Sequence, residues 1–225
     1  MTLASLAGVN IPDILLVDLS QLDKLPPINL PDEKLAFAIK RFDRDQNKRI
    51  HTEDFAQVLV KYPHEKYNAA NYEQIAKVLY QFSGEGLADV QQLARRLLVN
   101  ILLANGDAHL KNWSLLYKDH YTPTLSPAYD IVTTHVYIEN ETQYALNLGK
   151  NKAWFNATTK HFQIWANKSG IPWRTIRPHL DDTLERARSL WPSALENLPM
   201  DEAHKEKLKI HWRNLKEDFR IESNK

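Results

Sequence analysis

The chain has no cysteine. That removes disulfides, thiolate metal centres and thiol nucleophiles from consideration, and it fits a reducing compartment. No apolar run approaches the roughly 18 residues that a bilayer-spanning helix requires. The N-terminus shows neither the basic stretch nor the clean apolar stretch of a secretory signal, so a cytoplasmic location with no membrane partner is the expectation. Charge of one sign is also missing: 29 basic against 28 acidic side chains leave a formal net charge of +1. That balance argues against a protein that coats nucleic acid. Repeats and low-complexity tracts are absent. What remains is 225 residues, 43% apolar and 25% charged, the composition of a globular chain of one domain or a core with an appendage.

Hydrophobic periodicity predicts a mainly helical chain with a small β component. Residues 1–16 read as a short helix tail ending at Gly8, followed by an extended run over Val9–Val17. Asp18–Asp32, with prolines at 26, 27 and 31, reads as a loop. Lys34–Phe42 reads as a buried strand. Amphipathic helices are expected over Thr52–Lys61, capped near Thr52, and over Tyr72–Phe82. Ala88–Leu103 is apolar over so much of its circumference that it should be buried on most sides. Asn105 or Gly106 would supply its left-handed cap. Asn112–Tyr117 and Thr122–Leu125 form a predicted hairpin, and Thr142–Leu148 alternates weakly. Helices follow over Thr158–Lys168, ending at Gly170, and over Trp173–Trp191. In the latter, Pro178 marks either a kink or a new first turn. The last helix spans Asp201–Ile221, with Leu208, Trp212, Leu215 and Phe219 as its seam. Tryptophans 154, 165, 173, 191 and 212 read as core or interface anchors, and Lys205–Lys209 as a solvated charged face.

The chemistry concentrates in Ala104–Tyr117 and Leu125–Thr133. Asp107 and Asn112 lie five residues apart, and Asp130 follows the predicted hairpin. A polar turn would explain Asn105-Gly106-Asp107 alone. An acid, an asparagine five on and a second acid beyond a hairpin is instead the order of kinase catalytic machinery. The first carboxylate accepts a hydroxyl proton, while the amide and second carboxylate are hard oxygen ligands suited to magnesium on ATP phosphates. His109 on its own reads as a core or turn histidine. Lys111 reads as a surface charge, or in a phosphoryl-transfer site as a group facing phosphate.

Asp43–Asp54 imitates a calcium-binding EF-hand loop, with oxygens at loop positions 1, 3, 5 and 12. It has Lys48 where glycine should make the sharp turn, Asp54 in place of the bidentate glutamate, and His51 as a poor hard-ion ligand. A solvated turn leading into a helix accounts for the same residues.

Four stretches in order resemble the C-terminal part of HipA-type kinases, the toxin components of bacterial toxin–antitoxin pairs. They are Leu6–Asp13; Phe37–Arg44 (Phe-Ala-Ile-Lys-Arg-Phe-Asp-Arg); His51–Gln57 with Lys66-Tyr67; and Asn105–Asn112 with Leu125–Asp130. The resemblance implies an α+β, protein-kinase-like helical C-lobe with a short catalytic-loop hairpin. Residues 1–42 would be a remnant of the N-lobe and hinge strand, and 43–225 the lobe itself. Asp107 would be the catalytic base. His109, Leu110, Lys111 and Asn112 would contact phosphates and metal. Asn112 and Asp130 would be the magnesium ligands, with Tyr129 beside them. Lys40, Arg41 and Phe42 would line the adenine pocket, mostly through backbone atoms, although Lys40 stands where an acidic residue is commoner.

ATP and Mg2+ are the implied cofactors. The implied partners are a HipB-like helix-turn-helix antitoxin and a protein substrate of the aminoacyl-tRNA synthetase class. Operator DNA would be met through the antitoxin. Lys160 and Lys168 are candidate direct contacts to DNA, but Asn167 and Gly170 dilute that patch. The family's phosphate-binding loop and strand lysine have no counterpart upstream of Phe37, so a separate N-lobe polypeptide is a further candidate partner. A catalytically silent antitoxin-binding module or split-kinase subunit is the competing expectation.

Overall fold

The computed structural model describes residues 1–23, 27, 29, 34–46, 48–67 and 69–222. Part of the predicted proline loop, including Pro26 and Pro31, lies outside the described residues. The molecule is built around helix α4, Gly86–Leu102, which packs on α3 (Tyr72–Phe82) and α6 (Trp173–Glu196). Helix α4 has the wide apolar stripe expected of a helix buried on most sides: Val90, Leu93, Ala94, Leu97, Leu98, Val99, Ile101 and Leu102 are all buried. Helix α1 (Thr2–Leu6) lies on α6, α5 (Thr159–Ser169) lies on α3, and α7 (Glu202–Asn214) closes the chain.

Tryptophan N–H groups tie the layers together, because a buried indole needs an acceptor. Trp165 donates to the Tyr72 carbonyl at 3.0 Å, Trp191 to Leu3 at 2.7 Å and Trp212 to Leu102 at 2.9 Å. These three and Trp154 are buried, as their reading as core anchors required, although Trp154 Nε1 has no acceptor among the described residues; Trp173 is half-buried.

Local signals explain most element ends. Asn71 caps α3 in a reciprocal box with Gln74, and Gly170 at φ +74° terminates α5. Helix α6 runs unbroken through Pro178 and Pro192, so Pro178 starts no new helix. Helix α7 stops at Asn214, short of the predicted Ile221, although Leu208, Trp212, Leu215 and Phe219 are all buried as the seam required. Lys205 departs from the solvated-face reading. It is buried, with its ammonium on the Glu196 carbonyl at 3.0 Å and on Glu202 at 2.8 Å.

The β component is small. Strands β1 (Ile14–Asp18) and β2 (Leu35–Ile39) form an antiparallel pair in which Ile14 faces Ile39 and Leu16 faces Phe37. The strand expected to be buried, over Lys34–Phe42, is exposed at Leu35 (45%) and Phe37 (54%), as is its partner β1 at Leu15 (64%) and Leu16 (45%). Two strands standing alone bury little, and no third strand among the described residues joins the pair.

β3 (Arg44–Asp45) and β4 (Lys48–Arg49) make a small hairpin. β5 (His51–Asp54) pairs with β6 (Ser114–Tyr117), which pairs with β7 (Thr124–Leu125). Thr52 is therefore in a strand, and the cap of the short helix α2 (Phe55–Val58) is Asp54, whose carboxylate accepts the Gln57 N–H at 2.9 Å. β8 (Gln143–Leu148) and β9 (Asn151–Ala153) form the last hairpin.

The same facts remove the calcium loop. Asp54 is occupied as a helix cap, and Asp43 is held by Arg41 at 2.6 Å and Arg44 at 2.5 Å, which keep its carboxyl at about 2. Asn47, at the fifth loop position, lies outside the described residues. Among the described residues no group of three or more His, Cys, Asp or Glu is placed to hold a metal.

Candidate active site

Helix α4 ends one residue earlier than the best left-handed formers would suggest. Ala104, at φ +50°, makes the turn that Asn105 or Gly106 was expected to make. Asn105 has another task. Its buried amide donates to Asn100 at 2.7 Å and reaches the Asp130 carbonyl at 3.5 Å, while its oxygen accepts the Asp107 N–H at 3.0 Å. One side chain thus clips together the helix end, the Asp107 loop and the Asp130 loop.

Asp107 emerges half-exposed from this frame, its side chain 43% accessible. The Tyr67 hydroxyl donates to its Oδ1. Burial first, then the bond to Asp107, pushes the Tyr67 phenol up to about 12, so it stays a donor throughout the physiological range. His109 packs edge-on against Tyr67, ring centroids 5.1 Å apart, with Nε2 3.9 Å from Asp107 Oδ1. Burial lowers its pKa; Asp107 pulls it back up, and Lys66 lowers it further. His109 is therefore neutral near pH 7, and its approach to Asp107 is not an ion pair there.

Asn112 follows on a single 3₁₀ turn, Leu110–Asn112. Its Nδ2 donates to Asp130 Oδ2, and its Oδ1 is buried with no hydrogen-bond partner. Asp130 sits at φ +55°, a left-handed conformation that aspartate tolerates at a cost. Its side chain is turned to the open surface. Tyr129 is held by Ser114 at 2.6 Å and by the Lys111 carbonyl at 2.9 Å, and its ring lies 5.7 Å from Phe42. The Arg96 guanidinium, buried behind, donates to the Ser126 carbonyl at 2.5 Å and fixes the base of the same loop.

The predicted site residues divide into two groups. Asp107, His109, Asn112, Tyr129 and Asp130 come together around one loop pair. Leu110 belongs to the core, fully buried, and Lys111 projects into solvent. Phe42 lines a cavity of about 580 Å³ with Asn10, Gln92, Arg96, Leu116 and Pro127. The Lys40 and Arg41 side chains point instead to Asp13 at 3.2 Å and to Asp43. Tyr67 was not assigned a role from the sequence. It stands forty residues from Asp107 in a polar loop, and only the Lys-Tyr pair carried by the resemblance marks it.

Asn112 and Asp130 are donors of the kind that would suit a magnesium ion. The donors are one carboxylate at the surface and one amide oxygen, buried and unpartnered. That is a sparse, hard-oxygen set which leaves room for waters and phosphate oxygens. As it stands the amide presents nitrogen to Asp130, and a half-turn about its last bond exchanges the two atoms.

The profile of the HipA-like C-terminal domain family matches residues 1–191. The chain belongs to that family. Y4dM of Sinorhizobium fredii, a protein named as a kinase, is 40% identical over 200 residues, covering 89% of this chain and 48% of that protein. A protein of Haemophilus influenzae, also named as a kinase, is 38% identical over 125 residues, covering 52% of this chain and 36% of its own length. The chain thus spans about half or less of these curated relatives.

Among solved structures, HipA of Shewanella oneidensis, determined with HipB and operator DNA, superposes with a TM-score of 0.74 at 20% identity. It covers 96% of this chain and 54% of that one. The Helicobacter pylori proinflammatory kinase CtkA gives a TM-score of 0.56 at 17% identity, over 95% of this chain and 76% of that one. Both share the α+β fold. No helix among the described residues is long and apolar enough to cross a membrane.

Proposed function

We propose that this HipA-like domain carries the catalytic and metal-binding loops of an ATP- and magnesium-dependent serine/threonine kinase of a toxin–antitoxin pair. The supporting observation is the convergence of Asp107 and Asp130 on one frame through Asn105, with Asn112 bonded to Asp130. Asp107 takes the proton of the acceptor hydroxyl. Tyr67 occupies its Oδ1, which orients the other oxygen toward the substrate. Neutral His109 shields the acid without neutralising it. Asn112 and Asp130 hold magnesium, and ATP with its magnesium supplies the transferable phosphoryl group. Lys111, free in solvent, is placed to meet phosphate, and Phe42 with the backbone of Lys40 and Arg41 to meet adenine.

The domain does not hold the whole site. The uncovered apolar hairpin of β1 and β2, together with the half-length match to relatives, favours a division of labour. A second segment or polypeptide, covering Leu16, Leu35 and Phe37, would supply the phosphate-gripping loop and lysine. Without those charges the developing transition-state charge has less compensation, and turnover by these 225 residues alone is slow.

The Shewanella neighbour was solved with HipB and operator DNA. By analogy a HipB-like antitoxin is the proposed partner here, with DNA reached through it. Lys168 is partly exposed and lies 3.8 Å from Glu73. An aminoacyl-tRNA synthetase is the proposed substrate class. Asp107→Asn tests the assignment: loss of toxicity and of phosphoryl transfer is expected, with antitoxin binding retained. If toxicity survives, the domain is a silent antitoxin-binding module.

A further inference from the structure

On the outer side of the Asp107 loop lies a second cavity of about 430 Å³, lined by Tyr67, Gly106, Glu141, Gln143, Tyr144 and Lys152 among others. It shares Tyr67 and Gly106 with the catalytic loop. Glu141 is its half-buried acid, and its two oxygens are not equivalent. Oε2 accepts the Thr134 hydroxyl at 2.6 Å, and that hydroxyl in turn accepts the Gly106 N–H at 2.7 Å. Oε1 lies so close over Gly106 that an added Cβ there would meet it at 2.1 Å. Among the described residues Oε1 has no hydrogen-bond donor, and Glu141 forms no ion pair, not even with Lys152. Burial raises the Glu141 pKa, the Thr134 hydroxyl and His135 pull it back down, and Asp107 adds to the rise.

Resting on the kinase reading, we propose that Glu141 is a specificity residue, recognising a lysine or arginine that flanks the phosphoacceptor serine or threonine of the substrate. The geometry sets the range. Glu141 Oε1 contacts the residue immediately before Asp107, and an extended peptide advances about 3.3 Å per residue. An acceptor hydroxyl on Asp107 therefore leaves a side chain within about three positions able to reach Glu141. A guanidinium or ammonium there would donate to the open oxygen in a charge-assisted hydrogen bond.

The test measures binding to the 225-residue chain of nonapeptides with a central serine flanked by arginine, alanine or glutamate, at low salt by NMR titration. Wild type should rank arginine over alanine over glutamate. Glu141→Gln should weaken the arginine peptide about tenfold, a typical cost of losing a partly buried charge pair, and leave the alanine peptide unchanged. Glu141→Lys should invert the ranking. Equal losses for all peptides would show that Glu141 only props the Gly106 loop and would overturn the proposal, as would absence of any charge preference in the wild type. Because the measurement uses no nucleotide, failure of ATP binding would count against the kinase reading and leave this ranking standing.

Discussion

The Asp107 loop and the β1–β2 hairpin are opposites within one chain. The loop is over-determined. Asn105, Tyr67 and Tyr72 through the Ala108 carbonyl at 2.9 Å each fix a different part of it, and Arg96 through Ser126 fixes the neighbouring Asp130 loop. It also grows from a helix buried on most sides. The hairpin shows Leu15, Leu16, Leu35 and Phe37 to solvent, and its ends are joined to each other by the Lys40 N–H on the Asp13 carbonyl at 2.9 Å, the Leu19 N–H on the Lys34 carbonyl at 2.9 Å and an exposed Lys40–Asp13 ion pair, the last a kind of contact that contributes about 1 kcal/mol or less. A loop built to this rigidity can hold an acid and a metal in register. An uncovered apolar hairpin marks where something else must seat. The difference is what the proposed division of the site rests on.

The sharpest way to break the comparison is at the acid itself. Asp107→Asn should lower phosphoryl transfer by the complete assembly by about 10²–10⁴-fold, the usual range for a positioned general base. Binding of a magnesium–nucleotide analogue, read by calorimetry, should be retained. If the two fall together, Asp107 serves binding and not proton transfer.

Next comes the frame. Leu98→Ala, at a position fully buried on α4, should cost about 2–5 kcal/mol, read as a lower denaturant midpoint at constant slope. A cost under 1 kcal/mol would mean the central helix is not the rigid platform described.

A third prediction uses pH. His211 is buried, donates to the Ile101 carbonyl at 2.8 Å, and burial holds its pKa down at about 4. With the folded value below the unfolded one of about 6.5, the unfolded chain binds the proton first. Stability is then full above pH 6.5 and falls as the pH drops toward 4, by on the order of 2–3 kcal/mol. His211→Gln should flatten that slope in thermal melts. An unchanged slope would assign the acid sensitivity elsewhere.

The smallest effect belongs to the hairpin. Phe37→Ser should change the stability of the isolated chain by no more than about 0.5 kcal/mol, as for an exposed site. It should nevertheless weaken association with whatever covers the hairpin, measured by co-purification. A large loss of stability would show that the hairpin is part of the core.

Much of this was legible in the sequence because local physics decided it. The 3.6-residue spacing of α3, Gly170 as the terminator of α5, and the apolar girth of α4 each speak for themselves. That Asp107, Asn112 and Asp130 lie near one another was expected from their order in the sequence, and the fold brings their loops together. What was not legible depends on distant partners. His51–Asp54 is too polar to read as a strand until it pairs with buried β6. Asp54 displaces Thr52 as cap because Thr52 is held in that pairing. Asn105 cannot serve as the left-handed residue because its amide is needed between α4 and Asp130. Lys205 is buried because Glu196 and Glu202 come to it. Tyr67 and Glu141 enter the site only by folding, from positions with no spacing signature.

The central claim is that these loops are the catalytic half of a divided kinase site, and phosphoryl transfer tests it most directly. Incubated with radiolabelled ATP and magnesium, the 225-residue chain alone should incorporate little label. A polypeptide supplying a glycine-rich loop and strand lysine should restore incorporation, and Asp107→Asn should abolish it again. Robust autophosphorylation by the 225 residues on their own would contradict the account.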